Sequence, residues 1–150
     1  MKFGSLIYRN NCNLGDQIQS LAAEQFLPQI DRFFNRDTLA LEEVSEPHLL
    51  IMQGWFSMSP EQAFPPASSI IPLFFGFHIS PYNKGYHHFL SPASVEYLKK
   101  HEPVGCRDIT TLHLLQNQGV NAFLSHCLTI TFPNKDAAPN NGKVILVDAD

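Results

Sequence analysis

An α/β fold built on a largely parallel sheet with flanking helices is what this sequence predicts, and three observations carry the prediction. Strand-like apolar runs alternate with amphipathic segments along the chain. Two of the runs, "HLLIMQGW" and "IPLFFGFHI", are continuously apolar in the manner of strands buried on both faces. The helical segments between strands carry their own start and stop residues.

Taken in order, "KFGSLIY" reads as the first strand and "NNCNLGD" as a turn, with Asp16 opening a helix over "QIQSLAAEQFL". That helix would turn Ile18, Leu21, Ala22 and Phe26 to one face and stop at Pro28. "IDRFFNR" alternates like a second strand, and "HLLIMQGW" follows Pro47 as a buried third. Residues 57–69, heavy in Ser and Pro, read as a loop before the buried strand "IPLFFGFHI". In "SPASVEYLKKH", Ser91 is a helix cap and Pro92 occupies the first helical position, so a helix of about three turns is expected. Pro103 to Cys106 form a short buried strand, and from Ile109 apolar residues recur at Leu112 and Leu115 until Gly119 ends the helix. "VNAFLS" and "CLTITF" each suggest one more short strand.

The remaining residues set a boundary. "PNKDAAPNNG", 133–142, is polar and rich in Pro, Asn and Gly, which is linker composition. After it, "KVILVDAD", 143–150, resembles the first strand of a new α/β unit; a lone strand forms no domain, so it either docks on the first sheet or opens a second domain of a longer protein. Residues 1–132 are thus expected to be one domain, and no internal repeats are visible.

With 150 residues and 44% hydrophobic content the chain can bury one real core. A formal charge of -4, without any run of Lys or Arg, argues against nucleic acid and leaves no patch for anionic membranes. Cys12, Cys106 and Cys127 have neither disulfide-framework nor zinc spacing, which suits reduced thiols in a cytoplasmic protein. The apolar start is too short for a signal peptide and is broken by Arg9, and "IIPLFFGFHI" is half the length a bilayer requires. A protein without membrane insertion is expected.

In open α/β sheets ligands bind beyond the carboxyl ends of the strands, where loops enter helix N-termini. Two such turns stand out here, "NNCNLGD" with Gly15 and Asp16, and "GCRD" with Arg107 and Asp108. Asp108 reads first as a helix N-cap, its carboxylate accepting from free N–H groups of the first turn. Arg107 is placed to grip a phosphate or a carboxylate. The GxGxxG fingerprint and the P-loop are absent, so neither NAD nor ATP is implied.

Other residues admit two readings. His78 follows a buried strand and is either a strand-end histidine or a ligand-contacting acid or base. Cys12 near the first helix start reads as an unreactive thiol before a reactive one. His87 and His88 lack a third well-spaced ligand, so no metal is expected. Trp55 and Phe56 suggest packing, although aromatics after a strand end can floor a sugar site. Ser125, His126 and Cys127 would alternate faces on a strand, which argues against a nucleophile–base pair.

The segments "NLGDQIQSLAAEQFLP", "DRFFNRD", "MQGWF", "PLFFGFHIS", "YLKKHEPVGCRDITTLHLLQNQGV" and "SHCLTITF" occur in order over residues 8–132. Together they resemble the N-terminal part of the polysaccharide pyruvyl transferase family, closest to bacterial members found with exopolysaccharide genes. The resemblance implies a Rossmann-like domain forming the N-terminal half of a GT-B-like, two-domain cleft. It implies transfer of pyruvate from phosphoenolpyruvate, a donor substrate rather than a cofactor, onto two hydroxyls of a saccharide acceptor as a cyclic ketal with loss of phosphate. Cations and N–H groups must hold the donor, an acid must protonate the enol carbon, and a base must relieve the attacking hydroxyls.

Arg107 matches a family motif and is the leading donor-anion candidate; Asp108 accompanies it, Gly15 and Asp16 match the N-terminal glycine-aspartate turn, and His78 lies in the family-like "FHIS". The catalytic acid and base are not named by the sequence. His126 departs from the pattern, which expects a small residue such as glycine before Cys127. Much of the machinery is expected on a second domain, so a 150-residue chain offering one wall is expected to be weak or inactive alone and to expose an apolar face that favours self-association. Two other readings stand: a noncatalytic binding or assembly module on the same fold, and half of a GT-B sugar-nucleotide glycosyltransferase.

Overall fold

The computed structural model describes residues 1–9 and 13–133. Cys12, nearly all of the expected linker and the "KVILVDAD" strand lie outside the described residues.

Six strands form one parallel sheet: β1 (Lys2–Ile7), β2 (Arg32–Asn35), β3 (His48–Trp55), β4 (Ile70–His78), β5 (Val104–Cys106) and β6 (Ala122–Leu124). Their order is β2-β1-β3-β4-β5-β6. Helices α1 (Leu14–Glu24), α2 (Pro60–Ala63), α3 (Tyr86–Phe89), α4 (Pro92–Lys100) and α5 (Ile109–Gln116) connect the strands, with 3₁₀ turns at Arg36–Leu41 and Leu128–Thr131. This is the Rossmann-like α/β arrangement that the sequence predicts.

The main core lies on one face of the sheet. There Phe34, Leu50, Met52, Phe74 and Phe77 meet side chains from the helical layer, among them Phe64, Phe89, Leu98 and Leu115. Phe64 is the hub, its ring centroid 5.4 Å from Phe89, 5.5 Å from Tyr97 and 5.8 Å from Phe77. On the other face, Ala22 and Ala23 of α1 pack with Ile51 and Leu128. Predicted caps are present: the Ser91 hydroxyl accepts from Ser94 N–H, and the Asp108 carboxylate accepts from Thr111 N–H.

Five details differ from the sequence reading. Helix α1 starts two residues early, capped by Asn13, whose side chain accepts from Gly15 N–H at 2.9 Å. Its buried residues are Asp16, Gln19, Ser20, Ala22 and Ala23, while Leu21 and Phe26 face solvent, because Asp16 and Ser20 find partners beneath the helix in Arg36 and Tyr8. The Ser/Pro-rich loop contains the one-turn helix α2. Strand β4 is buried on one side only: Ile71 and Leu73 are exposed, as is Phe123 of β6, since no described helix covers that part of the second face.

The fifth difference is "CLTITF", which is a 3₁₀ turn and not a strand. His126, just before it, has φ 61, in the left-handed region, and this redirects the chain from β6 toward α1, where Leu128 packs. A left-handed residue with a Cβ costs about 1–2 kcal/mol, and glycine avoids that cost at some entropic expense. Glycine is also the kind of residue that the family pattern expects here. His126→Gly should therefore raise the urea midpoint, by up to about 1 kcal/mol of stability, whereas the β-branched His126→Val should lower it.

Candidate active site

The sheet order fixes where a site can form. β1 and β3 are neighbours, and the chain leaves β1 toward β2 on one side and β3 toward β4 on the other, which opens a crevice beyond their carboxyl ends. A cavity of about 400 Å³ lies there, and Gly15, Asp16, Trp55, His78 and Arg107 are in its wall. Four of the five expected site residues thus share one cavity, and the fifth, Asp108, touches it through His78.

A register shift aligns two of them. Met52 pairs with Phe74 but Gly54 pairs with Phe77, so β4 carries one extra residue at this point, and Trp55 then pairs directly with His78. Gly54 and Gly76 take up the bend with φ 75 and 76, where a side chain would be strained. Bulges of this kind re-aim side chains near sites. Here the bulge sets an indole and an imidazole side by side at the cavity wall.

The Asp108 Oδ2 lies 2.5 Å from His78 Nδ1, so the carboxylate orients the ring, fixes the Nδ1–H tautomer and leaves Nε2 as the nitrogen for a ligand. Thr111, fully buried, donates its hydroxyl to Asp108 and accepts from Ile79 N–H, which ties α5 to the end of β4. Burial, and then the Arg107 charge, hold the His78 pKa below its ordinary value against the pull of Asp108. For Asp108 burial pushes upward, but hydrogen bonds from Thr111 and His78 outweigh it and the net direction is down. At neutral pH the pair is therefore a carboxylate beside a neutral imidazole.

Arg107 is held by its backbone, whose N–H donates to Phe77 O at 2.8 Å. Its guanidinium forms no salt bridge among the described residues. A cation on a cavity wall that forms no salt bridge among the described residues suits an anionic ligand.

Asp16 lines the cavity and is also held in a buried ion pair. It is buried and pairs at 3.0 Å with Arg36, a residue that the sequence reading did not single out. Arg36 is itself buried, reaches Asp37 at 2.9 Å, and lies over the rings of Tyr8 and Trp55, 4.8 and 5.1 Å from their centroids. This knot joins β1, α1, the 3₁₀ turn after β2, and β3, and it supports the cavity from below. The available signal was a second Arg-Asp pair at a strand end, Arg36-Asp37, matching Arg107-Asp108.

Several alternatives resolve as structure. The Ser125 hydroxyl accepts from Gly76 N–H and donates to Cys106 O, so it braces the bulge. Cys106 is buried, with its thiol pushed up to about 12 by burial and by Asp108. His88 bonds Phe64 O, and the described residues contain no group of side chains arranged for a metal. Phe56 is core.

Fold and cavity together define an α/β domain with a polar pocket, Arg107 in its wall, at the carboxyl edge of a parallel sheet. The sequence model of the family "Polysaccharide pyruvyl transferase" matches residues 13–149. The chain belongs to that family, which indicates a pyruvyl transferase-like function with a pyruvate donor and a saccharide acceptor. Comparison with curated proteins and with solved structures gives no match. No helix of the described residues is long and apolar enough to cross a membrane.

Proposed function

We propose that this pocket binds phosphoenolpyruvate and serves ketal formation on a saccharide destined for exopolysaccharide or another cell-surface polysaccharide. The observation that carries the reading is the meeting of Arg107 with the His78–Asp108 pair in one cavity. Arg107 would hold the donor's phosphate or carboxylate. The neutral His78, with Nδ1–H directed to Asp108, would accept the proton of an acceptor hydroxyl at Nε2 as that oxygen bonds to C2 of the donor. The enol carbon takes a proton from solvent to become the methyl group. Phosphate then leaves C2 with its bridging oxygen and the bonding electron pair, the second hydroxyl bonds to C2 in its place, and the proton of that hydroxyl passes to the departing phosphate, which closes the ketal.

In this reading Gly15 shapes the entrance, Asp16 positions the floor through Arg36, and Asp108 positions His78. A second Rossmann-like domain, in the GT-B-like arrangement, would supply the facing wall and further donor contacts. Phosphoenolpyruvate is a cytosolic metabolite, so the reaction is assigned to the cytoplasm.

The pH profile tests the assignment of the base. Because the His78 pKa is lowered, the rate of ketal formation should be level at neutral pH and fall only as pH drops below about 6.5, the ordinary histidine value. His78→Asn should lower kcat by about 10²- to 10⁴-fold, the usual weight of general acid–base catalysis. Asp108→Asn removes a charge that raises the His78 pKa, so the acid limb should move to lower pH; Arg107→Ala removes one that lowers it, so the limb should move up. Limbs that stay in place in both variants would show that His78 is not the titrating group. The same direction governs stability: folding favours neutral His78, so its contribution is complete above the ordinary value and declines as pH falls toward the lowered one.

A further inference from the structure

We propose that Trp55 is the stacking platform for the acceptor sugar, and that the half of the cavity beside it is an acceptor subsite separate from the donor end at Arg107. The inference rests on the pyruvyl-transfer reading above. It starts from the mixed chemistry of the wall: besides Arg107 and His78, the cavity is lined by Trp55, the amides of Asn13, Gln19 and Asn83 and the hydroxyl of Ser80.

A pyranose has an apolar C–H face and a rim of hydroxyls that both donate and accept. An indole supplies a broad apolar surface for the former, and neutral amides and hydroxyls supply both halves of a hydrogen bond for the latter. Gln19 adds a side-chain amide to this wall, and its Nε2 donates to Gly15 O at 3.3 Å.

Trp55 is not filling the core, unlike its neighbour Phe56. It is partly exposed, and the Arg36 guanidinium lies over its ring. Asp16 and Asp37 hold Arg36, so the platform is fixed before a ligand arrives. Reach is also satisfied. Trp55 and His78 are register partners, and neighbouring strands are about 4.8 Å apart, so a sugar stacked on Trp55 brings its rim hydroxyls to the imidazole.

Trp55 is the single tryptophan of the chain, which makes its emission a direct reporter. Wild-type protein is titrated with methyl β-galactoside, methyl α-mannoside, N-acetylglucosamine and UDP, each with and without phosphoenolpyruvate, and donor affinity is measured separately by calorimetry. The expected result is a saturable emission change with at least one sugar. In saturation-transfer NMR, Trp55→Ala should weaken that sugar about tenfold, Trp55→Phe should weaken it less, and donor affinity should stay within about twofold. Sugar affinity unchanged in Trp55→Ala overturns the proposal, as does an equal fall in sugar and donor affinity, which would mark a structural role. A response to UDP alone overturns it in favour of a nucleotide site. Wild-type protein that binds donor but none of the sugars removes the platform and leaves the donor reading standing; Trp55-dependent sugar binding without donor binding does the reverse.

Discussion

Replacing Arg107 with alanine is expected to lower kcat/KM for phosphoenolpyruvate by at least about thirtyfold while leaving the unfolding midpoint near that of wild type. The size follows from removing one partner of a charge-assisted contact in a partly desolvated site, which costs about 2 kcal/mol or more. The unchanged stability follows from the structure. The Arg107 side chain forms no salt bridge among the described residues, and the bond that anchors it to β4 is from its backbone N–H to Phe77 O. Arg107→Lys keeps a point charge but loses the planar fork, so it should fall between the two. Steady-state phosphate release, read beside a denaturant curve, checks both halves. A variant as active as wild type would remove Arg107 from donor binding.

The second large effect is on folding. Arg36→Met should destabilise the domain by about 3–5 kcal/mol, because it removes the guanidinium that pairs with the buried Asp16. Charge repair should be visible. In Arg36→Met/Asp16→Asn the buried carboxylate is gone as well, so the double variant should lose clearly less than the sum of the single losses. Urea denaturation of the four proteins closes the cycle. Strict additivity would show that the two side chains do not depend on one another. Since Arg36 lies against both Tyr8 and Trp55, Trp55 emission should also report the loss of the knot under native conditions.

Features that depend on a few consecutive residues were legible in the sequence. Ser91 and Asp108 announce their helices, and the apolar runs announce β3 and β4, because a cap or a buried strand is specified locally. The apolar stripe of α1 misled for the same reason: Leu21 and Phe26 have the right spacing, yet the helix buries Asp16 and Ser20, whose partners come from elsewhere in the chain, together with Gln19, which bonds Gly15 O of its own helix. Polarity of a side chain predicts exposure only when no tertiary partner waits for it.

The candidate site divides along the same line. Arg107 and His78 could be proposed because they follow strands, and a strand end in an α/β sheet is already a place in three dimensions. Arg36 could not, since burying a guanidinium takes two carboxylates and two rings delivered by four elements. Nor could the pairing of Trp55 with His78, which depends on a single extra residue in β4 that no hydrophobic pattern reveals. The family pattern did reach His126: the position where it expects a small residue is the one whose backbone is left-handed.

Calorimetric titration of phosphoenolpyruvate into the wild-type protein and into Arg107→Ala tests the central claim most directly. One donor molecule bound per chain, with affinity reduced at least about thirtyfold in the variant, is the result the account predicts. Absence of binding to wild type, or equal binding to both proteins, would contradict it.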